Sequence, residues 1–116
     1  MNSFKSINVQ TLKTKLDCNE DFVLIDDREN QELGICKLDK AIHIPMGSIP
    51  VCLNQIDFKK PIVVMCKSGG RSAQVCQFLN EQGYGDVYNL SGGIISWALE
   101  IESTLATYKC QIIIMV

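Results

Sequence analysis

The sequence predicts an α/β domain with a mainly parallel central sheet, and three observations carry that prediction. Short aliphatic runs alternate with segments of helical periodicity along the whole chain, the rhythm of strands joined by helical crossovers. One run, Pro61-Ile62-Val63-Val64-Met65, is apolar with a β-branched centre at Ile62 to Val64, as a strand should be. Hydrophobic residues make up 47% of the 116 residues and charged residues 21%, enough for a packed core and far from the polar bias of a disordered segment. The length fits one domain over 1–116, with the order of the tail 104–116 left open.

In chain order, Ser6-Ile7 opens the sheet as a short strand. Asn8 caps a helix over Val9 to Leu16, because its side-chain oxygen can accept an orphan N–H of the first turn. Phe22-Val23-Leu24-Ile25 reads as a buried strand, and the charges of Asp26-Asp27-Arg28 mark a loop at the sheet's carboxyl edge. Ala41 to Ile44 is a second strand, stopped by Pro45, which cannot continue a ladder. Gly47 to Leu53 is expected to form a short helix. Pro61 to Met65 runs directly into Cys66 and a small-residue loop, and Ser72 to Gln82 follows as a helix. Its Val75, Cys76, Phe78 and Leu79 share one face, and Gly83 supplies the C-terminal stop. Val87 to Leu90 is the last strand of this series, and Gly92-Gly93 leads into a helix from Ile94 to Glu100. The run Gln111 to Val116 is apolar and β-prone, open between an edge strand, a dimer contact and a disordered end.

Composition also excludes functions. The net charge is -2 and the eleven Lys and Arg are scattered, so no electrostatic footprint for nucleic acid is present. No apolar run approaches the ~20 residues that span a bilayer, and Met1 to Ser6 lacks a basic stretch leading into an apolar one, so a cytoplasmic protein without membrane contact is expected. Six cysteines stand at 18, 36, 52, 66, 76 and 110 without a Cys-x-x-Cys spacing, which argues for reduced thiols and against a zinc site or a dithiol redox motif.

The segment Cys66-Lys67-Ser68-Gly69-Gly70-Arg71-Ser72 is a physical recipe for an activated thiolate. Glycines let backbone N–H groups turn inward, and the following helix N-terminus adds partial positive charge, so an anion at the loop centre is stabilised. Such a field lowers a thiol's pKa and would equally hold the outer sulfur of a persulfide. Lys67 and Arg71 add charge that could attract an anionic donor. Arg71 could hold the loop's shape or contact that donor, whereas Lys67 is expected to point to solvent.

This loop resembles the active-site loop of rhodanese-like domains. The resemblance extends over nearly the whole chain: Leu24-Ile25-Asp26-Asp27-Arg28-Glu29 is similar to the family's strand-end Asp-x-Arg segment, Ala41-Ile42-His43-Ile44-Pro45 to its next strand, and Tyr88-Asn89-Leu90-Ser91-Gly92-Gly93-Ile94 with Trp97 to its last strand and helix. The family resemblance implies a three-layer α/β/α domain and a sulfurtransferase that carries a sulfane sulfur as a persulfide on Cys66, with Lys67 to Ser72 binding the substrate and no metal or organic cofactor. Four residues separate Cys66 from Arg71. Loops of the related cell-cycle phosphatases and arsenate reductases place five there, so the shorter cradle favours a sulfur bonded to cysteine over a tetrahedral oxyanion.

Glu32-Leu33-Gly34-Ile35-Cys36-Lys37-Leu38 and the ending Trp97 to Ser103 are also similar to rhodanese domains attached to ubiquitin-activating-like adenylyltransferases. That likeness implies thiosulfate or a protein persulfide, such as that of a cysteine desulfurase, as donor, and a thiol, a sulfur-carrier protein or an adenylyltransferase as partner. The chain departs from the pattern at Lys40, where the family usually has glycine, and at Asp27, where it usually has an apolar residue. A phosphatase or arsenate reductase relative and a non-catalytic binding module of the same fold are the competing readings.

Several tempting residues receive plain structural roles. Cys76 belongs to a helix's apolar face, and Cys36 and Cys52 are structural thiols unless loops bring them near Cys66. His43 is the single histidine, but transfer from a low-pKa thiolate needs no base, so it is given no catalytic role. Asp26 and Arg28 either brace the active loop across neighbouring strand ends or pair with each other, with bracing favoured. Trp97 reads as a core anchor, with a rim role near the loop as the alternative.

Overall fold

The computed structural model describes residues 4–104. Five strands form one sheet in the order β1-β5-β4-β2-β3, and every neighbouring pair runs parallel. The strands are β1 (Lys5–Ile7), β2 (Val23–Asp26), β3 (Ile42–His43), β4 (Ile62–Met65) and β5 (Val87–Leu90). Helices α1 (Val9–Asp17), α2 (Asn30–Leu33), α3 (Gly70–Glu81) and α4 (Gly93–Glu100) connect them, with a 3-10 helix at Met46–Gln55. This is the three-layer α/β/α arrangement with a parallel central sheet that the sequence resemblance implies.

Two apolar layers explain why the sheet is parallel and buried. On one face Val9 and Leu12 of α1 and Ile94 and Trp97 of α4 pack against Leu24, Val63, Met65 and Leu90. On the other, Val75, Cys76 and Leu79 of α3 and Ile49 of the 3-10 helix cover Ile25, Ile62, Val64 and Val87. All four residues of β4 are buried, because this strand is central and both its faces are covered. The chain moves outward from β2 to β3, crosses back over β2 to β4, then continues on the other side to β5. The reversal leaves the carboxyl end of β4 as a natural site at the sheet edge.

Local signals explain the helix boundaries. Asn8 Oδ1 accepts the Thr11 N–H at 2.9 Å, the expected cap of α1. Gly83, at φ +96°, ends α3 in a conformation that side chains resist. The expected short helix at 47–53 is a 3-10 helix over Met46–Gln55. Pro50 lies inside it; proline has no N–H for an α-type ladder and clashes with the preceding turn, which works against an α-helix through this segment. Helix α3 begins at Gly70, two residues before the expected start, so the active loop is shorter than its sequence suggests. Helix α2 was not anticipated: its signal is the capping box of Glu29 and Glu32, in which Glu32 Oε1 accepts the Glu29 N–H at 3.1 Å. The run Gln111 to Val116 and Cys110 lie outside the described residues.

Candidate active site

Cys66 follows the last residue of β4 and is 1% exposed. Its Sγ accepts the Gly69 N–H at 3.1 Å and the Ser72 N–H at 3.4 Å, and lies 3.4 Å from Ser72 Oγ. The first N–H belongs to the loop and the second to the opening turn of α3, so the loop and the helix terminus converge on one sulfur. Gly69 can face Cys66 because it adopts φ +116°, a left-handed value that a Cβ would strain.

A second layer holds those donors in place. The carbonyl of Gly69 accepts Asn89 Nδ2 at 3.2 Å and lies 3.2 Å from Ser72 Oγ, which also contacts Asn89 Oδ1. Ser72 has one proton to give; directed at Asn89 it locks the loop to β5, and directed at Sγ it stabilises a thiolate. From the other side α4 binds the loop's first carbonyls: Ile94 N–H donates to Cys66 O at 2.9 Å and Ile95 N–H to Lys67 O at 3.2 Å. Those bonds turn the loop's carbonyls away from the sulfur. Gly93 makes the approach possible, since a Cβ there would lie 2.5 Å from both the Cys66 and Lys67 carbonyl oxygens.

Arg71 bends away from the loop to Glu32 of α2. The pair is bidentate, with Nη1–Oε1 at 2.5 Å and Nη2–Oε2 at 2.8 Å, and Glu32 holds the guanidinium firmly in its charged form. Shape-holding thus has a named partner. If Cys66 carries sulfur as the sequence resemblance implies, Glu32→Ala and Arg71→Ala should therefore slow persulfide formation to a similar extent, within the ~10–1000-fold range for a lost positioned electrostatic group. Arg71→Lys should not restore it, because an ammonium cannot form the fork. Stopped-flow loading rates check this; a Glu32→Ala protein with native rates would show that the pair does not support the site.

Asp26 and Arg28 are both buried and close on each other. Arg28 Nη2 donates to Asp26 Oδ2 at 2.7 Å and Nε to Oδ1 at 3.0 Å. The guanidinium continues to the carbonyls of Cys36 at 2.8 Å and Glu32 at 3.4 Å. Of the two sequence readings, mutual pairing is what these contacts display, and bracing reaches the loop one step removed, through Glu32 and Arg71. Lys67 is half-buried rather than fully solvent-facing, and Ser68 and Gly70 are exposed at the rim. His43 Nε2 lies 2.6 Å from Arg28 O, a backbone role in β3. Burial pushes the Cys76 thiol up to about 12 and raises that of Cys36, so both are poor nucleophiles.

Asn89, Glu32 and Gly93 were not singled out as site residues. Asn89 and Gly93 lie in the quoted stretch Tyr88 to Ile94, whose polar residue inside a strand and glycine pair were the available signals. Asp27, which the sequence puts in a charged loop at a strand end, is fully buried.

The match to the rhodanese-like domain model runs over residues 8–100 and takes in β2, the Cys66 loop and α4. The chain belongs to the rhodanese-like domain family. A Bacillus subtilis protein provisionally named a sulfurtransferase is 41% identical over 98 residues, covering 84% of this chain and 94% of that protein. A sulfurtransferase of Allochromatium vinosum is 40% identical, covering 79% of this chain and 86% of its own. The crystal structure of a rhodanese-like domain protein from Staphylococcus aureus superposes with a TM-score of 0.75 at 33% identity, covering 81% of this rhodanese-like chain and 91% of the other. Among the described residues, no helix of this rhodanese-like domain is long and apolar enough to cross a membrane.

Proposed function

We propose that this rhodanese-like domain is a sulfurtransferase that carries sulfane sulfur as a persulfide on Cys66. The observation that carries the reading is the convergence of the Gly69 and Ser72 N–H groups on Cys66 Sγ within a loop of four residues before Arg71. The names of relatives at about 40% identity support it. In the first half-reaction the Cys66 thiolate attacks the sulfane sulfur of thiosulfate, the donor's S–S bond breaks, and sulfite leaves with the electron pair. The product, Cys66–S–S⁻, keeps its negative charge within reach of the loop donors. In the second, a nucleophile attacks the outer sulfur and the electron pair returns to Cys66 as thiolate. Cyanide serves as acceptor in a test tube; a thiol is the biological counterpart, with a cysteine desulfurase persulfide as alternative donor. The described cysteines are free thiols, which supports a cytoplasmic setting in this reading.

Intact-protein mass spectrometry after thiosulfate treatment tests the proposal. One added sulfur that disappears on cyanide treatment is expected. No added sulfur, together with hydrolysis of a phosphate ester, would replace the reading with a phosphatase.

A further inference from the structure

Asp27 is fully buried, and among the described residues its two carboxylate oxygens are the buried side-chain oxygens and nitrogens left with no hydrogen-bond partner. An unsatisfied buried carboxyl is expensive and calls for a reason. Its backbone is tightly held at the base of the site: its N–H donates to Met65 O at 3.1 Å, one residue before Cys66, and its carbonyl accepts the Met46 N–H at 2.9 Å. Side chains alternate along a strand, so Asp27 faces the α3 side of the sheet, opposite Asp26 and Arg28. Burial raises its carboxyl to about 7, against the pull of Arg71 and with smaller contributions from Asp26, Glu32 and Arg28. The Cys76 thiol and the Arg71 guanidinium, both on α3, lie within electrostatic reach of Asp27 and of Cys66.

We propose that Asp27 is a positioning residue that selects the charge of the sulfur donor, admitting anionic donors to Cys66 as the neutral acid and disfavouring them as the carboxylate. The charges around it make this possible. Arg71 is answered by Glu32 and Arg28 by Asp26, so each pair sums to zero, and protonation of Asp27 decides whether this cluster is neutral or carries one negative charge beside Cys66. Water cannot screen that charge because the carboxyl is sealed from solvent. Sign and range follow: below about pH 7 the acid form prevails and thiosulfate meets a neutral cluster, and above it thiosulfate meets an added negative charge. The donor assignment rests on the sulfurtransferase reading; the electrostatic effect on Cys66 does not.

Two alkylating reagents of similar size separate these claims. Iodoacetate is an anion and iodoacetamide is neutral, and both attack the Cys66 thiolate, so the ratio of their rates at Cys66, read by peptide mass spectrometry, cancels the thiol's own ionisation. In the native chain the iodoacetate-to-iodoacetamide ratio should fall ~3- to 30-fold as pH rises through about 7, the size of effect a poorly screened unit charge exerts over a short distance. In Asp27→Asn it should stay flat, and kcat/KM for thiosulfate should lose the matching decline. A similar fall in both proteins, or no fall in either, overturns the proposal. If neither protein loads sulfur from thiosulfate while the ratio falls only in the native chain, the sulfurtransferase reading fails and the charge effect of Asp27 stands. Where the variant does not fold or Cys66 resists both reagents, carbon-13 NMR titration of the Asp27 carboxyl decides. A midpoint near 7 that moves in Cys66→Ser supports the proposal, and a fixed midpoint or an ordinary one near 4 overturns it.

Discussion

Cys66→Ser is expected to abolish sulfur loading while leaving the fold in place. A serine hydroxyl can still accept the Gly69 and Ser72 N–H groups, so the loop keeps its inward donors and the cost in stability should not exceed ~1–2 kcal/mol. What is lost is the polarizable sulfur that forms and breaks the S–S bond, for which oxygen offers no substitute at neutral pH. The other buried thiols cannot take over: Cys76 is sealed in the core and the Cys36 thiol is raised by burial against the opposing pull of Arg28. Mass spectrometry of thiosulfate-treated protein before and after cyanide, with circular dichroism as the folding control, checks this. Cyanide-labile sulfur retained by a folded Cys66→Ser protein would move the activity to another cysteine.

Arg28→Met should be the most damaging change for stability, lowering it by about 3–5 kcal/mol, the usual penalty for removing one partner of a buried ion pair. Asp26 would then be left as a charge sealed in the protein, and the Cys36 carbonyl would lose its 2.8 Å donor. Replacing both partners, as in Asp26→Leu with Arg28→Met, should recover most of that loss, because no uncompensated charge remains. Urea unfolding midpoints with unchanged slopes would measure both. Even where the double variant is stable, loading should be slower than in the native chain, since Arg28 also supports the carbonyl of Glu32. A single Arg28→Met variant within ~1 kcal/mol of native stability would show that the pair contributes little.

The sequence alone determined the features that neighbouring residues encode. Periodicity and caps act over a few positions, so β4, the cysteine loop and α3 were legible in order, as were the spacing from Cys66 to Arg71 and the cap at Asn8. The glycine pair and small residues likewise announced a loop able to turn its N–H groups inward. The tertiary structure decided everything that joins distant segments. Ser72 meets Asn89 across 17 positions and Arg71 meets Glu32 across 39, separations at which no local pattern specifies a partner. The 3-10 helix at Met46–Gln55 replaced an expected ordinary short helix, with Pro50 inside it. Asp27 shows the difference most clearly. In sequence it is one charge among three at a strand end, and only the packing of α3 and the 3-10 helix over that end removes it from water and gives its proton a consequence for Cys66.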